Sequence, residues 1–143
     1  MFYQLFSALC KDRLFWLALG FGPLVWLGNR YFGLSHPAAI TPSFILWFGV
    51  LLPVIEELAF RGAMQGWLLA RAVGRRRLLG LSLANWLSSG LFVLFHLVGQ
   101  SPAWALAVLF PSLVFGVFRE RHNSVLPGII LHVIYNIGFF VLR

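Results

Sequence analysis

Three groups of residues in this chain could carry chemistry: Glu56, Glu57 and Arg61; Phe92 and His96; His132 and Asn136. Each group contains a pair four residues apart, which on a helix projects from one face. Glu57 and Arg61 can form an intrahelical ion pair that offsets both charges. Glu56 points about 100° away from Glu57, and so away from that pairing. A carboxylate, two imidazoles and a carboxamide make a usable hydrolytic set. Glu56, in a water-poor setting, suits a general base that takes a proton from water. His96 can hold that water from the other side. His132 and Asn136 each offer an N–H donor where an oxyanion develops on a peptide carbonyl.

The surroundings of these groups are apolar. "FILWFGVLL" precedes Glu56 and "AMQGWLL" follows Arg61. An ionised side chain at the centre of a membrane helix costs about 2.5–3.5 kcal/mol on insertion scales. Taken singly, each group has a structural explanation: an ion pair that neutralises itself, or a histidine satisfied in the core. Taken together, they are three inward polar pairs in a chain with little other buried polarity, and that conjunction points to a site. Gln65 and Asn85 are expected to make interhelical hydrogen bonds. Ser88, Ser89, Gly90, Gly116 and Gly128 are expected at close-packing positions. Pro53, three residues before Glu56, is expected to loosen the helix there and help admit water.

The elements that must position these residues follow from composition. The chain has 143 residues, 60% of them hydrophobic and only 10% charged, against about 25% charge in soluble domains. The fold class predicted is all-α: a polytopic membrane helix bundle forming one domain over 1–143. About five transmembrane helices are expected, at 14–28, 43–70, 78–98, 103–118 and 125–142, with turn formers filling 29–42. Residues 2–10 read as an interfacial segment or the first turns of the first helix instead of a cleaved leader, because the charges follow the apolar stretch and no A-x-A-like site comes next.

The net charge of +7 lies in short basic clusters between apolar runs, which leaves little to form a surface that tracks nucleic acid, so no nucleic-acid partner is expected. With the N-terminus cytoplasmic, the inner loops hold Lys11, Arg13, Arg71, Arg75, Arg76, Arg77, Arg119 and Arg121. The outer side then holds only Arg30 and Arg143. Eight against two sets the orientation of short loops, with the C-terminus outside. Cys10 is the only cysteine, so the chain has no internal disulfide and no cysteine metal site.

"EELAFRG" at 56–62 matches the E-E-x-x-x-R motif of the CPBP family, the CAAX proteases and bacteriocin-processing enzymes also called Abi. "FVLFH" at 92–96 matches its F-x-x-x-H motif and "HVIYN" at 132–136 its H-x-x-x-N/D motif. "FGVFRERHNSVLPGIILH" resembles the segment leading into the last motif. The resemblance covers about residues 43–140, in order and with matching spacing. It implies a glutamic-type intramembrane endopeptidase in which Glu56 and His96 activate water and His132 and Asn136 stabilise the oxyanion. Glu57, Arg61 and Phe92 then support the site. The chain resembles the small bacterial members, some of which look like partners of protein-sorting systems that trim C-terminal membrane signals. That implies a bacterial inner-membrane setting and a membrane-associated protein or peptide substrate, with lipid as the other partner. Eukaryotic members have about eight spans, and the prenylated CAAX substrate does not carry over to this shorter core.

No cofactor is required by this set. One alternative adds zinc, since Glu56, His96 and His132 offer the O and N ligands a catalytic zinc accepts. Against it, the three ligands lie on separate spans with no H-E-x-x-H helix to preorganise them. Another alternative is a non-enzymatic immunity or scaffold protein that keeps the bundle without the reaction. A transporter is disfavoured, because no inverted repeat is visible.

Overall fold

The structure, a computed structural model, describes residues 2–32 and 40–141. Of the turn-rich stretch expected at 29–42, residues 33–39, His36 included, lie outside the described residues, as does Arg143. Residues 29–32 are the last turn of the second helix and not loop. The chain divides into two compact units, Met1–Ile55 with Ile129–Arg143, and Glu56–Gly128.

In the first unit, α1 (Phe2–Lys11) and α2 (Arg13–Phe32) meet at a corner built on Asp12. The Leu14 N–H donates to Asp12 Oδ1 at 3.0 Å, and Trp16 Nε1 donates to the Cys10 carbonyl at 2.9 Å. An aspartate there supplies an acceptor for the first-turn N–H groups of α2 that have no intrahelical partner. Leu9, Phe15, Leu131, Tyr135 and Phe139 form the buried core. Trp26 Nε1 donates to the Tyr135 carbonyl at 3.0 Å, and the Tyr135 hydroxyl donates to the Ala18 carbonyl.

The long helix α3 (Pro42–Leu69) starts where Thr41 Oγ1 accepts from the Phe44 N–H at 3.1 Å, with Pro42 in the first turn. It is not uniformly α. Ile45–Leu51 and Leu58–Gln65 are π-helical, and Leu52–Glu57 between them is α-helical. Pro53 accounts for the first widening: its ring collides with the carbonyl four residues back, and a turn closed five residues apart relieves that contact. The Leu52 N–H bonds the Trp47 carbonyl in this wider register.

In the second unit a tight hairpin, β1 (Arg77–Leu78) against β2 (Leu81–Ser82), leads into α4 (Leu83–His96). Ser82 caps α4 by accepting from the Asn85 N–H at 2.9 Å. α5 (Pro102–Ala107) and α6 (Leu109–Arg121) are separated by a turn at Val108. Proline explains the break, since Pro111 has no N–H for residue 107 and is tolerated only in a first turn. α7 begins at Leu126 and ends at Val141. Here α4 packs on α6 and on the second π-helical stretch of α3. Ala84, Phe92, Val93, Ala105, Phe115 and Phe118 are buried.

The chain is all-α apart from this hairpin, and only part of the span list matches the expectation. α3 covers 42–69, close to the predicted 43–70, and Pro102–Arg121 covers the predicted fourth span; these are the described helices long and apolar enough to cross a membrane. Arg13–Leu24, Leu83–His96 and Leu126–Val141 are shorter apolar helices. The stretch expected to span from 78 to 98 is shortened because the hairpin consumes its first residues. At 1.5 Å per residue, the remaining 14-residue helix reaches about 21 Å, short of a hydrocarbon core of about 30 Å.

The distribution of polarity is inverted. Trp16, Trp47, Ile55, Leu58, Leu91, Leu94 and Phe110 are exposed, whereas Glu57, Arg61, Gln65 and Asn85 are fully buried. Large apolar side chains outside and hydrogen-bonding groups inside suit a lipid solvent, in which polar contacts hold helices together. Of the small residues expected at close contacts, Ser88 and Ser89 are fully buried and Gly116 lies directly under the Asn85 side chain. Gly90 departs from the expectation, with open space where a Cβ would stand.

Candidate active site

In the second unit α3 carries Glu56, Glu57, Arg61 and Gln65 inward. Glu57 and Arg61 are both 0% exposed, with Nε and Oε2 3.6 Å apart. That separation gives an ion pair without a well-formed hydrogen bond. The strong hydrogen bonds of the guanidinium go elsewhere: Arg61 Nη2 donates to the Ser112 carbonyl at 2.8 Å and to Ser112 Oγ at 2.6 Å. The Phe92 ring centroid lies 5.0 Å from Arg61 Cζ and the Phe115 centroid 5.8 Å. Two aromatic faces thus replace part of the hydration that the buried cation has lost.

Glu56 is 7% exposed. Both Glu57 and Glu56 act electrostatically on Arg61, Glu57 the more strongly. Glu57 lies in ion-pair contact with Arg61, and the field of Glu56 reaches the same guanidinium.

Glu57 also explains Gly128. A Cβ on Gly128 would stand 2.7 Å from Glu57 Oε2, closer than the carboxylate allows. Gln65 Nε2 donates to the Gly116 carbonyl at 3.1 Å and to Glu120 Oε1 at 2.9 Å. Asn85 Nδ2 donates to the Leu113 carbonyl at 3.0 Å. Both amides make the interhelical bonds expected of them.

On α4, His96 Nδ1 lies 2.9 Å from the Phe92 carbonyl oxygen. A carbonyl only accepts, so Nδ1 carries the hydrogen, and in the neutral ring Nε2 presents the lone pair. The imidazole also rests on the Phe92 ring, centroids 4.4 Å apart, and Phe60 meets Phe92 edge-on at 5.1 Å. Phe92 therefore touches two candidate residues at once, the Arg61 guanidinium and the His96 ring.

In the first unit, His132 is buried and Asn136 is half-buried on α7. Asn136 Nδ2 donates to the Phe48 carbonyl at 3.1 Å. The register of α3 explains this bond. Leu52 bonds back to Trp47, so the next bond in the π-helical series would run from residue 53 to the Phe48 carbonyl. Proline has no N–H to make it, and Asn136 supplies the missing donor. A parallel contact occurs on the second widened stretch, where Arg119 Nε donates to the Arg61 carbonyl at 3.1 Å.

Sequence reasoning did not find Ser112, Phe115, Arg119 or Glu120. Ser112 sits beside Pro111 and reads as a turn former, and Phe115 is one phenylalanine among 15. Nothing local marks either as a partner of Arg61. Among the described residues, no three His, Cys, Asp or Glu side chains are grouped to hold a metal ion.

A protein-family model described as type II CAAX prenyl endopeptidase, Rce1-like, matches residues 37–138. The match contains all three motif groups. No curated protein and no solved structure matches the chain.

Proposed function

The chain belongs to the Rce1-like family of type II CAAX prenyl endopeptidases, and from that premise we propose that it is a glutamic-type intramembrane endopeptidase with Glu56 as its base. Family membership gives a CAAX-type protease, and the family together with the two long apolar helices points to an integral membrane protein. The observation that supports the finer assignment is that the matched range, residues 37–138, contains Glu56, Glu57, Arg61, Phe92, His96, His132 and Asn136.

In the proposed reaction, a water molecule held by Glu56 and His96 Nε2 attacks the scissile carbonyl carbon and gives a proton to the Glu56 carboxylate. The carbonyl electron pair moves to oxygen, where His132 and Asn136 donate N–H groups. Collapse of the tetrahedral species breaks the C–N bond. The proton on Glu56 then passes to the departing amine, leaving a carboxylic acid and an amine. The burial of Glu56 and the hydrogen on His96 Nδ1 support these roles. Asn136 has two amide hydrogens; one is committed to Phe48, and the other is the one this role uses.

The substrate class that fits is a membrane-associated protein or peptide, with trimming of C-terminal sorting signals as its biological form. The reaction proceeds without a metal, so cleavage is expected to survive chelator. The eight-to-two bias of basic residues supports a cytoplasmic N-terminus and an external C-terminus in a bacterial inner membrane. The direct test is Glu56→Gln and, separately, His96→Ala, with cleavage of a membrane-tethered substrate followed in proteoliposomes. Undiminished cleavage by either variant would sink the assignment.

A further inference from the structure

The charged end of the second unit contains a cavity of about 290 Å³ lined by Arg77, Gly80, Ser82, Asn85, Glu120 and Arg121, among others. None of these belongs to the three motif groups. Arg77 is held at the cavity by donating from Nη1 to the Gly80 carbonyl at 2.8 Å. Glu120 opposes an anion in principle. Its Oε1, however, already accepts from Gln65 Nε2 at 2.9 Å and from Ser82 Oγ at 2.5 Å. The first N–H groups of α4 are also engaged, by the Arg76 and Gly74 carbonyls and by Ser82 Oγ. The positive groups lining the cavity are then the guanidiniums of Arg77 and Arg121, which suit phosphate oxygens geometrically and outnumber the retained charge of Glu120 two to one.

The hairpin beside the cavity indicates where such a phosphate comes from. Its turn residues Leu79 and Gly80 have φ of +51° and +83°. Glycine adopts that region freely, but leucine does so at a cost of about 1–2 kcal/mol. Turns of this kind favour Asn-Gly or Asp-Gly instead. The Leu79 side chain gains no packing in return, because it is 84% exposed, and Leu78 beside it is 53% exposed. Arg75, Arg76 and Arg77 immediately precede this apolar tip and are exposed too. Trp86 Nε1 donates to the Leu78 carbonyl at 2.9 Å and fastens the hairpin to α4. An apolar tip on a basic shoulder, fixed by an indole, is the composition of a headgroup boundary.

We propose that this cavity binds the phosphate of an anionic phospholipid between Arg77 and Arg121, while Leu78 and Leu79 enter the acyl region beside it. The inference depends on the protein's membrane setting and not on the assignment of Glu56 as a base. It is tested by native mass spectrometry of the full chain in nonionic detergent. Three probes are titrated separately: phosphatidylglycerol, phosphatidylcholine and soluble glycerol 3-phosphate. The wild type should retain phosphatidylglycerol in preference to both of the others. Arg77→Gln combined with Arg121→Gln should weaken that retention about 25-fold, at about fivefold per arginine. Arg75→Gln combined with Arg76→Gln should change it much less.

Leu79→Asn suits the left-handed turn, so it should preserve or raise the melting temperature while lowering phosphatidylglycerol retention. Three results would overturn the proposal. One is undiminished retention by the Arg77/Arg121 variant. Another is equal loss in the Arg75/Arg76 control, which would mean diffuse attraction. The third is displacement of lipid by equimolar glycerol 3-phosphate, which would assign the cavity to a soluble anion. Should the Arg77/Arg121 variant not fold, the Leu79→Asn protein decides, and full retention by it counts against the proposal.

Discussion

The Nδ1 nitrogen of His96 lies 2.9 Å from the carbonyl oxygen of Phe92, one helical turn earlier. That bond fixes the imidazole as the Nδ1–H tautomer and turns the Nε2 lone pair toward whatever His96 serves. The Phe92 ring, under the imidazole on one side and the Arg61 guanidinium on another, holds both groups in place. The F-x-x-x-H spacing thus has a physical content: the first residue sets the proton and the position of the last.

Nitrogen-15 spectra of protein labelled at histidine should show His96 protonated at Nδ1 when neutral. Replacement by alanine should lower cleavage about 10²–10⁴-fold, the range of a lost acid–base or water-holding group, with little change in melting temperature. A wild-type rate in His96→Ala would remove it from the reaction.

Arg61 and Glu57 are both fully buried, and removing one member of the pair leaves the other stranded. Arg61→Leu or Glu57→Leu alone should destabilise by about 3–5 kcal/mol, and the two together should recover part of that loss. Reversible unfolding in mixed micelles measures the cycle. Simple additivity would mean that the pair is not coupled.

Ser112 supplies the short contacts to that guanidinium. Ser112→Ala removes the hydroxyl but keeps the carbonyl, so about 1.5–3 kcal/mol of stability should be lost, the range for a hydrogen bond to a charged group. Ser112→Thr retains the hydroxyl and should recover stability if the added methyl fits. Unfolding midpoints of the two variants give the comparison.

Asn136 and Pro53 are predicted to be energetically linked through the Phe48 carbonyl. In the wild type, Asn136→Ala strips that carbonyl of its donor and should cost about 1–3 kcal/mol. In a Pro53→Ala background the restored N–H can take the place of the side chain, so the same substitution should cost measurably less. A coupling of about 0.5 kcal/mol or more in the double-mutant cycle is expected. No coupling would show that Asn136 serves only the reaction.

Gly128 stands against the Glu57 carboxylate, 2.7 Å from where its Cβ would be. Gly128→Ala should lose about 1–3 kcal/mol through overpacking and reduce cleavage by moving Glu57. Gly90→Ala, which meets open space, is the matched control and should be nearly neutral.

The sequence by itself determined what lies within one helical turn. Four-residue spacing put Glu57 with Arg61, Phe92 with His96, and His132 with Asn136, because a helix fixes which neighbours share a face. The apolar runs determined an all-α chain, and Gln65 and Asn85 were legible as interhelical donors because buried amides must bond something. Tertiary structure decided the partners that come from distant segments. Ser112 and Phe115 reach Arg61 across about 50 residues, and Asn136 reaches Phe48 across 88; no local pattern encodes either meeting. It also decided that residues 77–82 form a hairpin. Leucines that read as the start of a membrane span were instead placed at an exposed turn, since hydropathy records apolar content and not the backbone path that carries it.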